Sequence, residues 1–244
     1  MKFKFFKFLK KQQTLDYGKI FSSYEKAKNY SNNVGVYFDK RFTKFEGPNE
    51  VSIADRFYIA SVLPTLFKKK KLNILDVGGG PNPIYSYIKK TTNISTKCFV
   101  IDTEKLVKII EKKIPKKYKS DVTYISSIDK LKIKSFDIVY FNSSMQYLEN
   151  YEYILKKISK FKPYYILISY TPMSLKSKNS YTVQYGVPGS IHPIIFFSSL
   201  KLKKLLLKFK YKAIYENKYM NIIKKNKNSD LNSFYYGDLL FSKD

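Results

Sequence analysis

Apolar residues along the chain follow two alternating rhythms. Short apolar runs of strand length occupy Asn73 to Val77, Thr96 to Ile101, Val122 to Ile125, Phe136 to Phe141 and Tyr164 to Tyr170. Helical spacing holds around and between them. Ile53, Phe57, Ala60, Leu63 and Phe67 precede the first run, Ile84, Tyr85 and Ile88 follow it, and Tyr151, Ile154, Leu155 and Ile158 follow the fourth. Strands joined by helices predict a parallel sheet wound on both faces, with the functional edge at the strand carboxyl ends. A further helix is expected over Phe196 to Phe209. Two last strands are expected over Tyr211 to Tyr219 and Ser233 to Phe241, separated by a turn-rich stretch from Lys224 to Asp230.

Two stretches keep neither rhythm. Residues 171–193 hold Gly186, Pro188, Gly189 and Pro193, and a loop this long in a compact domain points to a lid over a substrate. Residues 1–50 read as an extension. A short helix begins near Phe21–Ala27 with a serine cap, turn chemistry runs from Asn29 to Gly35, and Tyr37, Phe38, Phe42 and Phe45 make an aromatic patch. The expected organisation is therefore an N-terminal extension over 1–50 and one α/β domain over 51–244.

Composition adjusts this picture in three ways. First, 46 Lys and Arg against 19 Asp and Glu leave a formal charge of +27, which suits nucleic acid or an anionic membrane. Only Arg41 and Arg56 are arginines, so the guanidinium that favours phosphate and base recognition is nearly absent. Lys, Asn, Ile, Tyr and Phe share A/T-rich codons, which makes base composition the preferred explanation of the lysine excess. Second, one cysteine, Cys98, and one histidine, His192, exclude an internal disulfide and a cysteine-based metal centre, so no metal is expected. Third, no stretch reaches the length of a bilayer span, and Met1–Lys11 lacks the long apolar core and cleavage site of a signal peptide. A cytoplasmic protein is expected. Contact with the inner face of a membrane through residues 1–11 stands beside the alternative of a partner-packed amphipathic turn.

The densest candidate chemistry is Asp76-Val77-Gly78-Gly79-Gly80-Pro81-Asn82-Pro83, a strand end, a glycine turn and a helix start. Glycines let the backbone turn sharply and let a ligand approach, and the helix end offers free N–H groups. Pro83 stands where a dinucleotide fingerprint needs its third glycine, which disfavours hydride chemistry, and the Lys-Ser/Thr of a P-loop is missing. Asp102 ends the second strand 22 positions after Gly80, near the spacing at which an acid meets ribose hydroxyls. The alternative is that Asp102 only caps the helix starting at Glu104.

Asp-x-Gly-x-Gly at a strand end resembles the cofactor loop of class I S-adenosylmethionine (SAM) methyltransferases. The resemblance implies a Rossmann-like fold with a seven-stranded, mostly parallel sheet, an antiparallel last strand and helices on both faces. It also implies SAM as cofactor. Asp76 would organise the site and Gly78, Gly79 and Gly80 would line the methionine side. Asp102 would hold the ribose, Ser127 and Ile128 would flank the adenine, and Asn142 with Ser143 would sit by the reacting sulfur. Ser127 replaces the acid that the family often carries there.

Asn142 to Leu148, Thr171-Pro172, Thr182-Val183-Gln184 and Val187-Pro188 further resemble a group of bacterial class I methyltransferases associated with surface-polysaccharide biosynthesis. This implies a small-molecule or glycan-linked acceptor. Gln146, Tyr147, Tyr170, Gln184 and His192 are its candidate contacts, with His192, Tyr147 and Gln146 as candidate catalytic groups. The chain departs from the group at Pro81-Asn82-Pro83 and at His192, where the family's loop has tyrosine. His192 can serve as a general base near neutral pH or be purely structural, because methyl transfer from a sulfonium often needs only placement and desolvation. The rival reading is a non-catalytic scaffold on an anionic membrane or a glycan-assembly complex. RNA methylation is disfavoured by the lack of an RNA-binding module or an Asn-Pro-Pro-Tyr-type motif.

Overall fold

The computed structural model describes residues 16–34, 44–51, 55–185, 191–219 and 234–244. The expected membrane contact at 1–11, the aromatics Tyr37, Phe38 and Phe42, and the 224–230 turn lie outside them. The described chain opens with β1 (Asp16–Tyr17) and α1 (Tyr24–Val34). The serine cap forms, since Lys26 N donates to Ser23 Oγ at 3.2 Å. The helix continues through Asn29, where a turn was expected. Ala27 packs with Val183 and Ile191, and that burial overrides the weak propensity of the asparagines.

α2 (Asp55–Val62) runs into a 3₁₀ turn at Leu63–Leu66. Then come β2 (Lys71–Val77), α3 (Ile84–Thr91), β3 (Ser95–Ile101), α4 (Glu104–Lys113), β4 (Val122–Ile125), β5 (Ile138–Asn142) and α5 (Tyr151–Lys160). β6 (Tyr165–Ser174), β7 (Ser180–Tyr185), β8 (Ile191–Ser198), α6 (Ser199–Lys208), β9 (Tyr211–Tyr219) and β10 (Phe234–Lys243) complete the order.

The central sheet has the order β4-β3-β2-β5-β6-β10-β9, in which β10 alone runs opposite to the other six strands. This is the expected seven-stranded arrangement. Strand alternation divides two cores. Leu72, Ile74, Ile138, Tyr140 and Leu167 face α2, α3 and α4, whereas Leu75, Val77, Val139, Phe141, Ile166 and Ile168 face α5 and α6. Burial on both faces explains why these strands read as continuous apolar runs.

Of the segment expected as an irregular loop over 171–193, the described residues 171–185 and 191–193 are instead mostly strand; Gly186, Val187, Pro188 and Gly189 lie outside the described residues. β6 continues to Ser174, and β7 pairs antiparallel with β8, carrying β1 on its far edge. Ser180 to Tyr185 do alternate polar and apolar residues as a strand does, a signal that is short and followed by glycines and prolines, and the polar Thr182 and Gln184 are buried and bonded as Val183 is buried; Thr182 Oγ1 donates to the Gly18 carbonyl at 2.9 Å. Phe196, Phe197 and Ser198 likewise belong to β8 rather than to the following helix. Ile194 and Phe196 enter one core while Ile195 and Phe197 enter another, and a strand buried on both sides has no period that distinguishes it from a helix. Ser198 then caps α6, accepting from Lys201 N at 3.2 Å.

β6 is the branch point. Its lower half pairs with β5 up to Asn142↔Ser169, and its upper end pairs with β8 at Met173↔Phe197 and Ser174↔Ser198. The two partners share one edge of β6, so the sheet forks between Ser169 and Met173.

Candidate functional site

The glycine loop closes over the end of β2 under local rules. Gly78 and Gly80 have φ of +75° and +58°, a backbone that side chains with a Cβ rarely adopt. A Cβ on Gly79 would lie 2.2 Å from Asp76 Oδ2, and one on Gly78 would lie 2.5 Å from Ser144 Cβ. A Cβ on Gly80 would meet nothing within 4 Å. The first two glycines are thus demanded by the protein's own packing, while Gly80 faces open space in which a ligand can sit.

Asp76 is 1% exposed, and its Oδ2 accepts from Ile84 N, the first residue of α3, at 2.7 Å. Its Oδ1 is buried without a partner among the described residues. Burial raises the carboxyl to about 7, opposed by the Ile84 hydrogen bond and assisted by the charge of Asp102. This acid holds the loop against the helix start.

Asp102 bridges two strand ends. Its Oδ2 accepts from Gly80 N at 3.1 Å and its Oδ1 from Thr103 N at 2.7 Å, while no side chain caps α4. The capping alternative is therefore not what the carboxylate does. Burial pushes its pKa upward against those two bonds. Each oxygen retains acceptor capacity for a hydroxyl. Tyr124 of β4 donates to the Gly80 carbonyl at 2.9 Å, and Gly78 N donates to Ile101 O at 2.7 Å, so β2, β3 and β4 deliver one continuous surface. Ser127 and Ile128 lie at the β4 end of that surface. The Ser127 hydroxyl accepts from Asp129 N at 3.2 Å, and Ile128 is buried.

On the other side of the loop, Asn142 Oδ1 accepts from Ser169 Oγ at 2.8 Å, and Ser143 adopts φ of 54°. Ser144 Oγ donates to the Val77 carbonyl, and Gln146 Nε2 donates to the Ser143 carbonyl at 3.0 Å. Gln146 Oε1 is buried without a partner among the described residues. The Tyr147 hydroxyl donates to Gln184 Oε1 at 2.9 Å, and its ring stands edge-on to His192, centroids 6.0 Å apart. Gln184 and His192 are paired across β7 and β8. Burial lowers the His192 pKa and raises that of Tyr147, so the imidazole is neutral and the phenol protonated at physiological pH.

Tyr170, at the fork, adopts φ of 46° and packs between Tyr219 and Tyr236. Its backbone N–H donates to Asp238 Oδ1 at 2.8 Å, and Tyr219 donates to Asp238 Oδ2 at 2.6 Å. Beside it Tyr17 and Tyr236 share a buried hydroxyl-to-hydroxyl bond. Sequence reasoning named Ser144 only within the Asn142 to Leu148 block and missed Tyr124, Asp238 and this tyrosine pair. Of the three missed, only Tyr124 left a signal, as a buried alternate of β4.

Among the described residues, no group of three or more His, Cys, Asp or Glu is placed to hold a metal, and no helix is long and apolar enough to cross a membrane. No protein-family model matches the chain, and no curated protein matches it in sequence. Solved structures do resemble it. The 1,6-didemethyltoxoflavin-N1-methyltransferase of Burkholderia thailandensis, solved with 1,6-didemethyltoxoflavin and S-adenosylhomocysteine, aligns with a TM-score of 0.51 at 12% identity over 78% of each chain. A SAM-dependent methyltransferase from Methanosarcina mazei gives 0.53 at 13% identity, over 79% of this chain and 99% of that one. The CcbJ methyltransferase of Streptomyces caelestis gives 0.51 at 8% identity, over 86% and 97%. These likenesses establish a Rossmann-like methyltransferase fold.

Proposed function

We propose that this protein is a SAM-dependent methyltransferase (EC 2.1.1.-) acting on a small-molecule or glycan-linked acceptor. The observation that carries the reading is the Gly80–Asp102 junction. A glycine with open space above it is hydrogen-bonded at 3.1 Å to a carboxylate from the adjacent strand end. That pairing suits a ligand with a compact charged end over the loop and a diol over the acid. Bound SAM supplies an electrophilic methyl group on a sulfonium. In this reading Asp76 and Gly78 to Gly80 shape the methionine side, Asp102 binds the ribose, and Ser127 with Ile128 flanks the adenine. Asn142 and Ser143 border the reacting end. His192, neutral and half-buried, accepts a proton from an acceptor hydroxyl, while Gln146, Tyr147, Tyr170 and Gln184 orient the acceptor. The glycan assignment and a bacterial polysaccharide pathway rest on the sequence resemblance, and a cytoplasmic site of action rests on the single cysteine and the lack of a signal-peptide or bilayer-span pattern in the sequence. Membrane contact is assigned to residues 1–11, and the cofactor domain to 51–244.

Calorimetric titration of SAM and S-adenosylhomocysteine tests the reading. Micromolar binding, about −8 kcal/mol, lost in Asp102→Ala is expected. Absence of binding by either compound sinks it and leaves the scaffold reading, which vesicle flotation with anionic lipid then examines.

A further inference from the structure

A cleft of about 520 Å³ opens between α1 and the turn after β5. Tyr24, Lys28 and Asn32 line one side, Tyr147, Glu149 and Asn150 the other, and Pro193 of β8 contributes to its wall. Tyr147 belongs both to this cleft and to the site, since the residue is 40% exposed and lines the cleft while its hydroxyl reaches Gln184. The chain links the two places over a short distance, with Tyr147 N donating to Ser144 O at 3.1 Å.

The lining is electrically balanced. Lys28 Nζ lies 3.1 Å from Glu149 Oε2, the side chains 50% and 51% exposed. An incoming phosphate meets a lysine already engaged and a carboxylate that repels it. Among the described residues, the uncharged groups of the lining are not engaged in this way. The Asn150 side chain caps no helix bond, and the side-chain amides of Asn32 and Asn150 have no partner among the described residues. An amide carries a donor and an acceptor, which matches a hydroxyl that does the same, and aromatic faces and proline cover C–H surface.

We propose that this cleft holds the methyl acceptor and selects an uncharged, polyhydroxylated one, a saccharide unit without phosphate. The role of the cleft rests on the methyltransferase reading; its ligand preference is measured as binding alone. The Tyr24 hydroxyl, donating to the Tyr147 carbonyl at 3.2 Å, and the Lys28–Glu149 pair tie α1 across the cleft and fix its width.

The test is saturation-transfer NMR on the full chain with S-adenosylhomocysteine bound. Maltotriose, cellotriose and mannotriose serve as neutral probes and UDP-glucose as the anionic one. At least one trisaccharide binds, and the exposed double substitution Asn32→Ala/Asn150→Ala raises its Kd about tenfold or more. Thermal melting of the variant reports its folding. Tighter binding of UDP-glucose, lost in Lys28→Ala, overturns the proposal in favour of an anionic acceptor. Binding by none of the trisaccharides, or binding indifferent to the double substitution, also overturns it. Failure of S-adenosylhomocysteine to bind is the separate failure of the cofactor reading. The titration is then run on the protein alone, where trisaccharide binding that depends on Asn32 and Asn150 still upholds the cleft.

Discussion

On the glycine-loop side, the shaping contacts link neighbouring parallel strand ends and the helix start that follows the first: Asp76 to Ile84, Gly80 to Asp102, Gly78 to Ile101, Tyr124 to Gly80. On the acceptor side, Tyr147 follows β5, Gln184 and His192 come from a hairpin beyond β6, and α1 arrives from more than a hundred residues upstream to bond the Tyr147 carbonyl. The first region is dense, with a buried acid and glycines pressed against side chains. The second is partly open and joined by single hydrogen bonds and an exposed ion pair. A fold can thus fix its cofactor side by local geometry and leave its acceptor side to long-range assembly, where a few substitutions change the pocket without disturbing the sheet.

The largest expected effects lie in the dense region. Gly79→Ala drives a Cβ to 2.2 Å from Asp76 Oδ2, and Gly78→Ala adds a left-handed backbone to a 2.5 Å clash with Ser144. Each should cost about 3 kcal/mol, a fall in melting temperature of roughly 6–12 °C, and abolish SAM binding. Melting curves near those of the wild type would break the contrast between the two regions.

Asp76 sharpens it through pH. Its folded pKa of about 7 lies above the ordinary 3.8, so between these values the folded protein keeps a proton that the unfolded chain has lost. The stability from this group is complete below about pH 4, declines as pH rises towards 7, and is level above. Denaturant titrations across that window should show the slope, and Asp76→Asn should flatten it. An unchanged slope would mean that the carboxyl ionises normally in its buried place.

Gly80→Ala separates ligand from fold. With φ of +58° but no atom within 4 Å of the added Cβ, it should cost only about 1 kcal/mol in stability while weakening SAM binding more than tenfold. Equal affinity would show that the cofactor does not approach this residue.

The smallest effect belongs to the open region. Tyr147→Phe removes one hydrogen bond and leaves the buried Gln184 oxygen unmatched, about 1 kcal/mol in stability. SAM affinity should hold and methyl transfer should fall, once an acceptor is found. Lost SAM affinity would join the two regions into one.

What was legible in the sequence follows the same division. β2, β5 and β6 stood out because both their faces are buried, β3 and β4 because buried positions alternate along them, and the spacing from Gly80 to Asp102 stood out because one strand–helix–strand unit sets it. Asp102 as a bridge rather than a cap could not be read, since both uses place an acid at the same position. The alternation of Ser180 to Tyr185 was legible as a strand and was masked only by the glycines and prolines that follow it, whereas the burial of Asp238 beneath Tyr170 left no mark in the sequence.

The sequence by itself determined the winding of the sheet, the glycine turn and the edge on which the two acids meet, because these follow from periodicity and short-range connection. Only the tertiary structure decided that β8 takes over the upper edge of β6, that α1 and Tyr147 enclose a cleft, and that Gln184 and His192 stand beside it. Those pairings join segments far apart in the chain, and what selects them is the fit of side chains and hydrogen bonds in three dimensions, which leaves no repeating pattern along the sequence.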